Sequence, residues 1–271
     1  MKWLVKGDCH GAFTWLDNLD KEKYPPEETA IIILGDAGFN FFLNKTDEKM
    51  KTWINERGYY IYCVRGNHEQ RPQLCPMIDE IWDENVNGPV YRDRFHQHIR
   101  YFMDYGYYTI GGYKCGVIGG AYSVDKWYRL EKLGLTEETN IPKKTGWFPD
   151  EQLTKAEMDH CEIKFFGRKF DFIFTHTCPL SFQPVDLFLG FVEQSKVDNR
   201  MEVWMEEIKD KFNWNIWLFG HYHADRIERP HVEQYFHDIE ELDVIWERWK
   251  RYDETGELDW WLVKSPKFYM T

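Results

Sequence analysis

The chain has 271 residues, 43% hydrophobic and 18% aromatic, enough to bury a sizeable core and too apolar for a disordered or low-complexity protein. Its 34 Lys and Arg against 46 Asp and Glu give a formal charge of −12, which excludes the broad basic surface that long nucleic acid requires. The longest aliphatic run, AIIIL at 30–34, is too short to cross a bilayer, and the six cysteines include no CxxC pair, so neither a structural zinc site nor a disulfide scaffold is indicated.

In chain order, the first strand pattern is KWLVK at 2–6, which runs straight into Gly7 and Asp8 without the apolar stretch of a signal peptide; a cytoplasmic protein is expected. Further strands are read at AIIIL before Gly35, YYIYCV before Arg65, KCGVI before Gly119, FDFIF before Thr175 and NIWLF before Gly220. Each is short, β-branched or aromatic, and closed by glycine or a polar cluster. Helical spacing appears in Leu153, Ala156, His160 and Cys161, and again in Val197, Met201, Trp204, Met205, Ile208 and Phe212. A C-terminal segment, 230–271, carries a helix through Leu242, Ile245, Trp246 and Trp249, then a turn and a last strand at DETGELDWWLV. Strands alternating with helices indicate an α/β class, in a single domain over 1–271 with substrate-side loops or a cap at 120–150 and 180–200.

Five of the six strands are followed at once by Asp, His or Asn, in GDCHG, GDAG, RGNHE, THTCP and GHYH. Active residues of α/β folds collect at the carboxyl ends of strands. Asp8 with His10, and His221 with His223, are spaced i, i+2, so each pair can present two ligands on one side of an extended segment. Adding Asp36, Asn67 and His176 gives two carboxylates, one amide oxygen and four imidazoles, a hard to borderline donor set suited to Mn, Fe or Zn. Seven ligands are too many for one tetrahedral ion and about right for two divalent ions. Neighbouring side chains of an extended segment diverge, so an Asn67 turned to metal leaves His68 free for proton transfer.

These five blocks, in this order, resemble the signature of calcineurin-like metallophosphoesterases, in the branch with a terminal GHxH motif. The resemblance spans residues 7 to 223 and implies a four-layer α/β/β/α sandwich with a dinuclear site at one edge. It implies that Asp8, His10, Asp36 and His223 hold one ion and Asp36, Asn67, His176 and His221 the other, with Asp36 as the bridge. It further implies hydrolysis of phosphate mono- or diesters by attack of a metal-bound hydroxide. Two departures matter: Phe39 stands where the protein Ser/Thr phosphatases carry a second aspartate, and their arginine after the GD block is missing. RGNHE is similar to the protein-phosphatase version, whereas GHYH is similar to the branch that includes phosphodiesterases and nucleases.

The expected protein is therefore a dinuclear phosphoesterase, with manganese favoured over iron or zinc. A small phosphodiester or nucleotide substrate is favoured. A Ser/Thr protein-phosphatase-like or dinucleoside-polyphosphate hydrolase is the alternative, with a nuclease or a non-catalytic binding module of the same fold behind it. His68 is the expected catalytic acid. Arg129, in GGAYSVDKWYRLEK at 119–132, and Arg65 are the expected phosphate contacts. His96 and His98 also sit i, i+2, but with no carboxylate or glycine turn beside them they read as exposed strand positions; His160, His231 and His237 read as isolated structural or solvated histidines. Cys9, between two ligands, is expected to point away from the metals, and most tryptophans to lie in the core.

Overall fold

The computed structural model describes residues 1–136 and 146–258; part of the 120–150 loop and most of the expected last strand fall outside them. The first half runs β1 (Lys2–Lys6), β2 (Thr29–Ile33), α1 (Lys45–Asn55), β3 (Tyr60–Cys63), β4 (Ile78–Asp83), β5 (Gly88–Asp93), β6 (Ile99–Phe102), β7 (Tyr105–Ile110) and β8 (Tyr113–Ile118). The second half runs α2 (Lys126–Lys132), α3 (Lys155–Phe165), β9 (Lys169–Thr175), α4 (Arg200–Lys209), β10 (Asn213–Phe219), β11 (Arg226–Arg229), β12 (Val232–Gln234), β13 (Ile239–Glu241) and α5 (Leu242–Thr255).

The strands form two sheets, ordered β13-β1-β2-β3-β6-β5-β4 and β11-β12-β10-β9-β8-β7. Side-chain alternation decides how they stack. Trp3, Val5, Ala30, Ile32, Tyr62 and Val64 of the first sheet share one buried cluster with Cys115, Val117, Phe172, Phe174, Ile216 and Leu218 of the second. The intervening residues face outward. Leu4, Ile31, Ile33, Ile61 and Cys63 pack with Ile54 of α1, while Ile118, Ile173, Trp217 and Phe219 pack with Met158 and Cys161 of α3 and Met201 and Ile208 of α4. The result is the four-layer α/β/β/α sandwich. Helix α5 closes one margin of the central layer with Ile245 and Trp249.

Local chemistry sets the helix ends. Thr154 and Glu157 form a reciprocal capping box at the start of α3, Asn44 caps α1 through Thr46 N, and Gly256 ends α5 in the left-handed region. All six cysteines are free, and all but Cys75 are buried.

All six strands read from the sequence are present; β4 to β7 and β11 to β13 are additional. Strand β4, IDEIWD, is an edge strand whose charged and half-exposed positions give no apolar alternation, as edge strands often do. His96 departs from expectation: it is buried in the turn before β6, its Nδ1 3.0 Å from Asp93 Oδ1 and its Nε2 3.0 Å from Thr52 Oγ1. The turn is held by Asp93, which also accepts the backbone N–H groups of Phe95 and His96.

Stability should follow the layers. Phe174, fully buried and stacked on Phe172 between the sheets, should cost about 3–5 kcal/mol when changed to alanine. Phe166→Ala, at a position 86% exposed, should change stability by no more than about 0.5 kcal/mol. Urea unfolding of the two variants checks the contrast.

Candidate metal centre

Strands β1, β2 and β3 are parallel neighbours in one sheet, and β8, β9 and β10 are parallel neighbours in the other. Their carboxyl ends meet along one edge of the sandwich, and the five polar clusters emerge there. Backbone contacts lock the loops together. Asp36 O accepts from Cys9 N and His10 N at 3.1 and 2.7 Å, and Gly11 N donates to Ala37 O at 3.0 Å. Bonds also cross between the sheets: His221 N donates to Asp8 Oδ1 at 2.9 Å, His176 Nδ1 lies 2.8 Å from Leu34 O, and Gly120 N donates to Arg65 O at 2.7 Å.

The approach is close enough to require glycine at two points. A Cβ on Gly35, at φ +102°, would fall 1.9 Å from His176 Nδ1, and one on Gly66 would fall 1.9 Å from Asp36 Oδ1. His10, Asp36, His221 and His223 themselves adopt φ of 46°, 47°, 69° and 53°. Such left-handed conformations cost on the order of 1 kcal/mol or more each and persist where the surroundings over-determine them. Here they turn four of the seven expected ligands into the same space.

Asp8, His10 and His223 place ligand atoms within 4.8 Å of one another, as do Asp8, Asp36 and His176. Asp8 is common to both groups, and Asp36, the expected bridge, stands beside it in the second. Asn67 Oδ1 lies 2.8 Å from His176 Nε2, and the His221 ring centroid is 4.8 Å from that of His176, so all seven expected residues gather here. The two halves differ in access. His10 and His223 side chains are 38% and 44% exposed, whereas those of Asp8, Asp36 and His176 are buried.

The donor atoms fit cations. Leu34 O can only accept, so His176 Nδ1 carries a proton, and Nε2 faces a second acceptor, Asn67 Oδ1, at 2.8 Å. His10 Nε2 and His223 Nε2 face each other at 2.9 Å, and Asp8 Oδ2, buried without a hydrogen-bond partner, lies 3.8 and 3.4 Å from them. Each contact needs a proton or a metal ion between its atoms. Burial alone would lower the His176 pKa, but Asp36 and Asp8 outweigh it and hold it at about 9. Burial would likewise raise Asp8, but His176 and His223 hold its carboxyl at about 2. The edge draws in positive charge, and its mixed oxygen and imidazole donors suit two divalent ions.

His68 N donates to Asp36 Oδ1 at 2.8 Å, while its ring turns away from Asn67 to lie 5.9 Å from the His10 ring and 6.2 Å from Phe41. Burial lowers the His68 pKa, partly offset by Asp36. Its Nδ1 has no partner among the described residues. Phe39, in place of a carboxylate, is buried and stacked on Phe13. Cys9 is buried and turns its thiol to Gly7 O, away from the ligands.

The two expected arginines part company. Arg65 is buried, with Nε 2.5 Å from Asp104 Oδ1 and Nη1 donating to Glu151 O at 2.7 Å. These two contacts hold the guanidinium inside the protein, where it braces the loop of Asn67, and leave its Nη2 without a hydrogen-bond partner among the described residues. Arg129 lies over Phe41 at 5.6 Å beside His68, with Nε bonded to Asp125 Oδ2 at 2.6 Å and a quarter of its side chain exposed. The 180–200 segment borders the other flank, where Phe188 stacks on Tyr222 and Asp186 pairs with Arg226.

Three supporting residues carry no signal in the motifs. Ser123 and Glu151 reach Asn67 from the segments after β8 and before α3, and Phe236 stacks on His223 with centroids 4.5 Å apart. Only proximity in the folded chain identifies Glu151 and Phe236; Ser123 sits in the 119–132 loop already singled out.

A family model described as calcineurin-like phosphoesterase matches residues 1–225. No curated protein matches significantly. Among solved structures, the chain is similar to phosphopantetheinyl hydrolase from Mycobacterium tuberculosis, at 14% identity and a TM-score of 0.40, covering 96% of this chain and 94% of that one.

Removing ligands should have unequal consequences. Asp36→Asn should weaken both ions, whereas His223→Ala should weaken chiefly the ion at the exposed His10 side. Metal content measured after gel filtration of both variants checks this; a single tightly bound ion in fully loaded wild type would sink the two-ion reading.

Proposed function

Since the chain belongs to the calcineurin-like phosphoesterase family and is a metal-dependent phosphoester hydrolase, we propose that it acts on a small phosphodiester or nucleotide, with manganese as the favoured metal over iron or zinc. The observation that supports this reading is the meeting of seven oxygen and imidazole donors at one edge, with two buried carboxylates among them.

Asp8, His10, Asp36 and His223 would hold one ion, and Asp36, Asn67, His176 and His221 the other. When bound, the two ions supply Lewis-acid stabilisation of the phosphoryl oxygens and a nucleophile at neutral pH. The remaining work falls to side chains. His68, held by Asp36 through its backbone N–H and with its Nδ1 unpartnered, would donate a proton to the leaving-group oxygen. Arg129 would exchange part of its contact with Asp125 for a phosphate oxygen.

A small substrate follows from charge. The chain is acidic overall, Arg65 is committed internally, and Arg129 is the arginine left beside His68, so few phosphates would be engaged. The buried Phe39 offers no carboxylate to His68, which disfavours a protein-phosphatase mechanism.

His68→Ala should keep both ions and lower kcat by on the order of 10²- to 10⁴-fold for substrates with poor leaving groups, and least for activated aryl esters. Steady-state rates across aryl esters of graded leaving-group pKa check this, an equal loss throughout pointing to positioning instead. Arg129→Ala should raise KM without releasing metal. In a Mn²⁺ panel of aryl monoesters, aryl diesters, cyclic nucleotides, dinucleoside polyphosphates and oligonucleotides, small esters should compete well, and any oligonucleotide binding should depend on salt with a slope of about one to two. Cleavage confined to oligonucleotides with a steep slope would replace this reading with a nuclease.

A further inference from the structure

Glu151 lies outside every ligand motif, yet it is 3% exposed and both its carboxylate oxygens are taken by one residue. Ser123 N donates to Glu151 Oε1 at 3.1 Å and Ser123 Oγ donates to Oε2 at 2.5 Å. A serine hydroxyl has one proton. With that proton committed to the carboxylate, Ser123 Oγ can only accept, and Asn67 Nδ2 donates to it at 2.8 Å.

We infer that Glu151, acting through Ser123, fixes the amide of Asn67 so that its NH₂ faces Ser123 and its carbonyl oxygen faces the buried cation site beside His176. Glu151 is a positioning residue in this scheme, and the inference rests on the two-ion reading. An Asn side chain has nearly the same shape with its amide reversed, so packing alone does not choose the orientation. Reversal would aim two N–H donors at a cation and set Asn67 Oδ1 against the lone pairs of Ser123 Oγ. The carboxylate removes that alternative by dictating which way the serine proton points.

The surroundings hold Glu151 in place. Its carbonyl accepts from Arg65 Nη1 at 2.7 Å, its N–H donates to Phe148 O at 3.0 Å, and Gly120 approaches so closely that a Cβ there would lie 2.5 Å from Glu151 O. Arg65 also binds Asp104, which lies 2.7 Å from Arg71 Nη1, and Arg71 in turn pairs with Glu157 at the start of α3. This chain of ion pairs, buried at Arg65 and part-buried at Glu157, joins the loop of Asn67 to the segment of Glu151.

The test is a titration of wild type, Glu151→Gln, Glu151→Asp and Ser123→Ala with Mn²⁺ alone, following binding by calorimetry and Mn²⁺ electron paramagnetic resonance, with thermal melts for each protein. It is run at pH 8, above the value of about 7 to which burial raises the Glu151 carboxyl. Glu151→Gln lets the serine proton turn toward Asn67, and should weaken one of the two ions by about 10- to 100-fold while leaving the other unchanged, the range typical of groups that orient a metal ligand. Ser123→Ala should do the same, and Glu151→Asp, which keeps the acceptor, should recover part of the loss. Two wild-type-like affinities in Glu151→Gln would overturn the inference and leave the two-ion reading intact, as would equal weakening of both ions together with a lowered melting temperature. If Glu151→Gln does not fold, Ser123→Ala decides, since unchanged binding there is equally fatal. Wild type that binds fewer than two Mn²⁺ would instead overturn the two-ion reading itself.

Discussion

Two carboxylates buried side by side, Asp8 and Asp36, impose the condition that the rest of this edge satisfies. Ionised groups removed from water are costly unless hydrogen bonds and opposite charge compensate them, and like charges add to the cost. Each carboxylate receives one backbone donor, from His221 N and His68 N, and turns its other oxygen toward imidazoles. The imidazoles cannot all be protonated at once, since His10 and His223 point nitrogen at nitrogen. Divalent cations would resolve the conflict by supplying the opposite charge.

The sandwich makes that arrangement possible by aligning two sets of parallel strands so that their carboxyl ends share an edge. Loops leaving parallel neighbours start a few ångströms apart, and only short excursions are needed to bring their side chains together. The left-handed backbones at four ligand residues are the local cost. The interlocking bonds from Asp36 O, Leu34 O and Asp8 Oδ1, with glycine at 35 and 66, hold those conformations in place.

Support for the ligands comes from segments remote in sequence. The family match ends at residue 225, yet Phe236, which stacks on His223, lies beyond it. Its loop is anchored by Asp225, whose carboxylate accepts the backbone N–H groups of Phe236, His237 and Asp238, and by Lys6 Nζ donating to Phe236 O at 2.7 Å. Behind it, Arg248 of α5 pairs with Glu233 and Glu240, and Trp249 Nε1 donates to Glu233 at 2.6 Å. The C-terminal segment thus buttresses the exposed half of the centre, while Glu151 and the Arg65 network buttress the buried half. No helix among the described residues is long and apolar enough to cross a membrane.

The amino-acid sequence by itself determined the central strands and the α/β class, and it singled out seven oxygen and imidazole donors that the fold gathers at one edge. Those features rest on local rules: short β-branched or aromatic runs make buried strands, glycine ends them, and polar residues at i, i+2 share a side. It also set His68 apart from Asn67, because neighbouring side chains diverge. Edge strands such as β4 escaped, since charged residues erase the alternation that marks a strand, and His96 was misplaced because burial in a turn comes from Asp93 and Thr52, not from spacing. Tertiary structure alone decided how the two arginines are placed, since Arg65 and Arg129 look alike in one dimension, each bonds an aspartate, and they differ in exposure, 1% against 24% of the side chain. It alone decided the orientation of Asn67, because a hydrogen-bond chain through Ser123 to Glu151 joins residues that no local pattern connects. A donor's chemistry is written in its own side chain, but its direction is set by whatever the fold packs behind it.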